Sequence, residues 1–316
     1  MKILYIAPTY KGGIGGHAKR VAEKLRENDI EVDLMDVPHI PIKKLKNPSF
    51  TLFGTLKAKF AKEKYDIVHA WNIPSAFVMK QVNARKKVLS VHGVYSEQVS
   101  MIHSSPTGTL AKIGEKKALA LADVLTTDSK TVQHSYREKL KINFEYLPAP
   151  LDTKKFDDIP KASQKLNQII YIGRDSYEKG IDILKEIEPK INADVVYCTN
   201  VSWNEAMTQL CKSRMLVIPS RIESIPQVIK EAFFLKIPVV STEVGGVPEI
   251  IENSKTGILV PPNSPTKLLE AINDLLKNQD KANFFSDHAY EYIIKNFTWD
   301  VLLDKYLNFY KNLLKN

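Results

Sequence analysis

The stretch PSRIESIPQVIKEAFFLKIPVVSTEVGGVP, residues 219–248, decides how the rest of the chain is read. It has the pattern of a strand end, a loop, a buried helix, a second strand and a glycine loop. Ser224 and Pro226 mark the helix start, because serine caps free backbone N–H groups and proline fits a first turn. The helix then runs VIKEAFFL, apolar almost all round, so it belongs inside a domain. An unpaired carboxylate is costly in such a place, yet Glu231 lies within the helix and Glu223 just precedes it. Two carboxylates so placed suit a polyhydroxylated ligand whose hydroxyls donate to them. The helix N-terminus between them offers N–H donors and partial positive charge to an anion.

Upstream, YIGRDSYEKGIDIL at residues 171–184 reads as a strand, a turn and a helix starting near Tyr177. Arg174 and Lys179 flank that turn, where a diphosphate would meet a guanidinium, an ammonium and a helix N-terminus together. The bland alternative is a solvated Arg and Lys on a loop. The spacing Glu223-x7-Glu231, after Pro219-Ser220 and before PVV…GGVPEII, resembles the donor-site signature of family four retaining glycosyltransferases (glycosyl transferases group 1). The 171–184 segment is similar to the same family's phosphate-binding segment. The resemblance spans nearly the whole chain, weakly before residue 165 and strongly after it.

This resemblance implies an α/β chain of the GT-B type, two Rossmann-like domains facing across a cleft, with a C-terminal helix crossing back to the first. It implies transfer of a sugar from a UDP- or GDP-linked donor to a saccharide or lipid-linked hydroxyl, with retention at the anomeric carbon. The nucleotide sugar is then a substrate, and no cofactor is expected. By the same resemblance Arg174 and Lys179 stabilise the departing diphosphate, Glu231 holds the ribose, and Glu223 reads a hydroxyl of the transferred sugar. Backbone N–H groups of Ser224, Ile225, Gln227 and Val228 reach the sugar or phosphates. The alternatives are a surface carboxylate for Glu223 and a buried ion pair for Glu231. Two departures stand out: between ADVVYCTN, ending at Asn200, and the helix of 203–213 there is no room for the family's extra strand and helix beside the nucleobase, and Ala149-Pro150 replaces its usual Asn-Gly.

With 316 residues and 44% apolar content, the chain suits two domains with real cores. Strand patterns alternate with helical ones, which argues for parallel sheets covered by helices. KILYIA, IEVDLM, DIVHAW, KVLSVH and VLTTDS are the strands of a domain at 1–150, and LPAPLDTKKF at 147–156 is the linker. QIIYIG, ADVVYC, MLVIPS, PVVST and GILVP belong to a second domain at 151–298, and 299–316 is the terminal helix. No apolar run approaches a membrane span and no signal-peptide pattern opens the chain. Its two cysteines, Cys198 and Cys211, lack metal-ligand spacing and read as small core residues, so a cytoplasmic location is expected.

In the first half, His92 follows a strand in VLSVHGVYS, where it faces the sugar or acceptor by the family pattern; in general such a histidine is more often structural. His69, in DIVHAW, has a similar strand-end place and a weaker claim. Gly12, Gly13, Gly15 and Gly16 form a first strand-to-helix loop, read as a platform that lets backbone approach the diphosphate or acceptor. Gly13-x-Gly15-x-x-Ala18 also imitates a dinucleotide fingerprint with Asp33 downstream, but residues 8–11 intervene between strand and glycines.

Charge is uneven: residues 1–150 hold 24 Lys/Arg against 14 Asp/Glu, +10, and residues 151–316 hold 21 against 22, −1. The densest part, IKKLKNPSFTLFGTLKAKFAKEK at 42–64, carries seven lysines and one glutamate among large apolar residues. That composition suits a helix or loop lying on anionic lipid, making peripheral attachment at the cytoplasmic membrane face one expectation. A solvated lysine face over an ordinary core is the other. Nothing beyond charge suggests nucleic acid. No zinc-type cluster and no Asp-x-Asp occurs, which fits metal-independent chemistry. The rival readings are a nucleotide-sugar epimerase, an NAD-dependent reductase built on the glycine loop, and a catalytically silent partner subunit.

Overall fold

A computed structural model describes residues 1–10, 12–40, 42, 45–95, 105–160 and 164–315, the side chains of 105–108 and 110 excepted. Of the basic segment, Lys43 and Lys44 lie outside the described residues. The chain divides into two compact units, Met1–Ala149 with Leu303–Asn316, and Pro150–Leu302.

The first unit is a parallel sheet of β1 (Lys2–Ile6), β2 (Glu31–Met35), β3 (Tyr65–Ala70), β4 (Ala84–Ser90), β5 (Val124–Thr127) and β6 (Glu145–Tyr146), in the order β2-β1-β3-β4-β5-β6. Apolar runs such as ILYI and IVHA are buried on both faces, as a parallel strand between helices requires. The covering helices are α1 (Gly13–Arg26), α2 (Lys46–Phe60), α3 (Ile73–Met79), α4 (Ser105–Leu119) and α5 (Lys130–Leu140). Local chemistry starts two of them: the Asn72 side chain accepts from Ser75 N with Pro74 in the first turn, and Ser129 accepts from Val132 N. Strand order reverses between β1 and β3, so the crevice for a ligand lies outside their carboxyl ends.

The second unit repeats the plan with β7 (Gln168–Ile172), β8 (Asp194–Cys198), β9 (Met215–Ile218), β10 (Val239–Thr242) and β11 (Ile258–Val260), ordered β11-β10-β9-β7-β8 and all parallel. Successive residues point to opposite cores: Ile170 and Leu216 pack with Ile229 and Phe233, whereas Ile169 and Met215 pack with Leu184 and Phe285. Around it lie α6 (Ile181–Ile187), α7 (Trp203–Lys212), α8 (Gln227–Phe234), α9 (Pro265–Lys277) and α10 (Gln279–Phe297). The final helix, α11 (Trp299–Leu313), begins in this unit and belongs to the first from Leu303 onward. Here the reversal falls between β7 and β9, which selects their carboxyl-end loops.

Several local expectations need correction. Gly15 and Gly16 sit in the first turn of α1, not in a loop, because the helix begins at Gly13. Helix α8 begins at Gln227 with Pro226 at the cap position and no side-chain cap, and the Ser224 carbonyl accepts from Gly246 N instead. Tyr177–Lys179 is a single 3-10 turn, and left-handed Gly180 separates it from α6. Between Cys198 and Trp203 there is indeed no further element, since Ser202 already caps α7.

Candidate active site

In the second unit the loop after β7 carries Arg174, the Tyr177–Lys179 turn and Gly180. Tyr171 Oη donates to the Arg174 carbonyl at 2.7 Å, which fixes the loop as it leaves the strand. Gly180 has φ +65°, and a Cβ there would lie 2.0 Å from the Pro219 carbonyl oxygen. Only glycine lets the two strand-end loops approach so closely. As a result Lys179 Nζ meets Glu223 Oε1 at 2.6 Å, and Ser220 Oγ donates to the same oxygen at 2.7 Å. The Glu223 side chain is 9% exposed and that of Lys179 23%. A charge-assisted contact in such shelter is stronger than one in open water.

The loop 219–226 is held from its other side too. Thr242 Oγ1 donates to the Ser220 carbonyl at 2.5 Å, Gly246 N to the Ser224 carbonyl at 2.8 Å. At Gly245, φ +53°, a Cβ would fall 1.8 Å from the Glu223 carbonyl oxygen. Glu223 is therefore set by backbone on both sides and is not a mobile surface carboxylate.

Arg174 is mostly exposed and pairs with Glu178 Oε1 at 3.1 Å. Burial works to raise the Glu178 carboxyl. Its own backbone N–H and the charges of Arg174 and Lys179 outweigh that and hold it below the usual range. Both cations keep donors in hand, since an ammonium has three and a guanidinium five. A diphosphate arriving at this loop can engage them without first separating every ion pair.

Arg221 escaped the sequence reading and is the clamp of the turn. Its guanidinium takes both Asp182 carboxylate oxygens at 2.7 Å, donates to the Tyr177 carbonyl at 2.7 Å and lies over the Tyr177 ring at 4.0 Å. The hydrogen bonds from Arg221 hold the Asp182 carboxyl below its ordinary range. The position next to Ser220 is the one hint the sequence contains. On α8, Glu231 Oε1 accepts from Trp203 Nε1 at 2.9 Å, so an indole from α7 takes up one oxygen of the carboxylate assigned to ribose. Ile225 and Val228 are half-buried against the unit's core, and Ser224 and Gln227 are half-buried beside them. Cys198 and Cys211 are free thiols, and burial pushes both up, away from thiolate character.

In the first unit the carboxyl ends of β3 and β4 bring aromatic rings together. Trp71 lies parallel to His69 at 4.5 Å and to His92 at 6.1 Å between ring centres, with His17 of α1 edge-on to Trp71 at 5.1 Å. His92 Nδ1 is 3.0 Å from Asp128 Oδ2, a carboxylate at the end of β5. A carboxylate at Nδ1 fixes the ring's orientation. Asp128, His17 and Trp71 were not legible as site residues, although the paired strand-end placement of VLTTDS beside VLSVH is the signal for Asp128.

His69 does not join the site. It is fully buried, with Nδ1 2.7 Å from Tyr310 Oη and Nε2 2.7 Å from Ser90 Oγ. Tyr310 Oη also meets Tyr5 Oη at 2.6 Å, and Ser90 Oγ meets Thr126 Oγ1 at 2.6 Å, so the imidazole links a core network. Burial drives its pKa well below the ordinary histidine value. At Gly15 a Cβ would lie 1.5 Å from the Thr9 carbonyl oxygen, so glycine is required where the first loop folds against α1. Among the described residues no group of three or more His, Cys, Asp or Glu is arranged to hold a metal ion.

Two family models divide the chain between them. The one described as Glycosyltransferase Family 4 matches residues 11–155, and the one described as Glycosyl transferases group 1 matches residues 154–278. An uncharacterized glycosyltransferase of Methanocaldococcus jannaschii is 22% identical over 96% of this chain and 95% of its own length. Among solved structures, sucrose-phosphate synthase from Thermosynechococcus elongatus superposes with a TM-score of 0.80 at 17% identity, over 100% of this chain and 99% of the other. Anabaena HepE in complex with UDP-glucose gives 0.75 at 15% identity, over 99% and 100%. At that identity the likeness is one of fold: two Rossmann-like domains of the GT-B type.

Proposed function

The chain belongs to the glycosyl transferases group 1, and from that premise we propose that it moves a sugar from a nucleoside diphosphate to an acceptor hydroxyl with retention at the anomeric carbon. The observation that carries this reading is the Lys179–Glu223 pair at the β7/β9 reversal, inside the segment matched by the group 1 model. HepE, a protein of like fold, forms a complex with UDP-glucose, which supports a donor of that class here.

In the proposed reaction the bond from the anomeric carbon to the diphosphate oxygen breaks, and a bond to the acceptor oxygen forms on the same face. The acceptor proton passes to the departing diphosphate. Lys179, Arg174 and the nearby backbone N–H groups neutralise the charge that develops on that leaving group, the role a preorganised electrostatic site serves best. Cationic side chains in this role make a divalent metal unnecessary. Glu223 accepts from a hydroxyl of the transferred sugar, and Glu231 accepts from ribose. His92, oriented by Asp128, serves the transferred sugar or the acceptor, and Gly15 in the first turn of α1 offers a backbone donor, the Gly16 N–H being taken by the Gly12 carbonyl at 2.7 Å. The acceptor class is a saccharide or lipid-linked hydroxyl. Two buried, unpaired thiols support a reducing, cytoplasmic setting.

The test is incubation with a panel of UDP- and GDP-sugars, with and without saccharide acceptors, in excess chelator. Release of nucleoside diphosphate that needs acceptor, with a product of retained configuration by NMR, supports the reading. Isomerised nucleotide sugar formed without acceptor would replace it with an epimerase.

A further inference from the structure

Helix α2 differs from α1 and α9 in what its outer side carries. In α1 the exposed residues beyond the first turn are Lys19, Glu23 and Arg26, and in α9 they are Thr266, Lys267, Glu270, Asp274 and Lys277. Those are ordinary amphipathic helices. Helix α2 buries Phe50, Gly54 and Ala58 along one stripe, which satisfies its need for a core. Its outer side should then be polar. It carries Leu52, Phe53, Leu56 and Phe60 instead, within an arc of about 100° on the side away from the buried stripe. Leu52 is 59% exposed and Phe60 76%, and Leu45 and Ile42, just before the helix, are exposed as well.

Cations border this apolar arc. Lys59 lies on one side of it and Lys46 and Lys57 on the other, and exposed Lys62 and Lys64 follow the helix end. Lys57 donates to the Asp36 carbonyl at 2.7 Å, whereas Lys46, Lys59, Lys62 and Lys64 form no ion pair among the described residues. Around the strip, the sequence of residues 42–64 has seven lysines against a single acidic residue.

We propose that the outer face of α2 lies on the surface of an anionic lipid bilayer, with Leu52, Leu56 and Phe60 in the acyl boundary and the flanking lysines on the headgroups. Helices that rest in such an interface combine an apolar face with lysines along its border. No helix among the described residues is long and apolar enough to cross a membrane, so the contact is one of lying on the surface. Charge complementarity selects lipid over a second copy of this chain: apposing two such faces sets lysines against lysines, whereas anionic headgroups accept them all. The proposal stands apart from the transferase reading, because vesicle binding is measured without turnover.

The experiment is flotation of the full chain with phosphatidylcholine vesicles, with and without phosphatidylglycerol, at low and high salt. Two exposed-face variants accompany it, one with Lys46, Lys59 and Lys62 changed to Glu and one with Leu52, Leu56 and Phe60 changed to Ser. Circular dichroism and light scattering check the fold and the oligomeric state of each. Wild type should bind anionic vesicles, lose binding in high salt as screening demands, and bind neutral ones weakly. Each variant should weaken anionic binding at least about tenfold. Binding that ignores lipid charge and both variants would overturn the proposal. So would an absence of vesicle binding together with an oligomer that the serine variant dissociates, which would make this face a contact between copies.

Discussion

Lys179 and Glu223 stand 44 residues apart in the chain, and their side chains meet at 2.6 Å. Two neighbouring parallel strands, β7 and β9, deliver them, and the missing Cβ of Gly180 closes the last distance. An ammonium held by a sheltered carboxylate is a fixed charge beside the place where a diphosphate would lie. Fixed charge needs no reorganisation as the leaving group departs, which is why such placement outweighs a mobile surface lysine.

Arg174→Ala is the cleanest probe of that account. The Arg174 side chain is 74% exposed, so its loss should change stability by less than about 0.5 kcal/mol. Removing an electrostatic donor from the leaving group should nonetheless cost about 3 kcal/mol in kcat/KM. Steady-state kinetics beside a denaturant titration separates the two. Wild-type kcat/KM in the variant would contradict the role.

Gly180→Ala should damage the site through the backbone. The new Cβ would sit 2.0 Å from the Pro219 carbonyl oxygen at a φ of +65°, so the loops must part. Holding a non-glycine residue in that region alone costs about 1–3 kcal/mol. Thermal unfolding should show a lowered Tm, and nucleotide affinity should fall with it. A variant as stable and as tight-binding as wild type would show that the loops have room to spare.

Asp128→Asn tests whether the carboxylate positions His92. The amide keeps the shape and loses the charge at the 3.0 Å contact. If His92 serves catalysis, kcat should fall by at least about tenfold and its pH profile should shift, with Tm little changed. A drop in Tm alone, with an unmoved pH profile, would assign the pair to structure.

His69 predicts the acid side of the stability curve. Burial holds it neutral in the folded chain, while the unfolded chain takes up a proton below about pH 6.5. The unfolded state then binds more protons, so stability rises with pH toward 6.5 and is lost as pH falls below it. One such group contributes a slope of at most about 1.4 kcal/mol per pH unit. Urea midpoints between pH 7.5 and 5 should fall more steeply for wild type than for His69→Gln. Parallel curves would exclude His69 as the source.

What was legible in the sequence were the features set by local pattern. Apolar runs such as MLVI and QIIYI are buried on both faces, so they announce parallel strands wherever they occur, and the two-residue β6 was too short to do so. Lys179 and Glu223 were each legible as donor-site candidates because each stands in a recognisable loop, but their contact was not. Arg221 and Asp128 were not, because their meaning depends on which strands become neighbours. Arg221 reaches Asp182 and Tyr177 only once β9 lies beside β7, and Asp128 reaches His92 only once β5 lies beside β4. His69 looked like a site residue for the same reason in reverse: its strand-end place was visible, but Tyr310, from the far end of the chain, was not. The start of α8 was misplaced because proline commonly stands within a first turn, whereas Pro226 occupies the cap position itself.

The central claim is that the loops after β7 and β9 bind the diphosphate of a nucleotide sugar. Calorimetric titration of wild type and Lys179→Ala with UDP, GDP and NAD tests it most directly. The account predicts that one of the two diphosphates binds, that NAD does not, and that Lys179→Ala weakens the binding at least about tenfold. Equal affinity of wild type and variant for the diphosphate, or binding of NAD in preference to both, would contradict it.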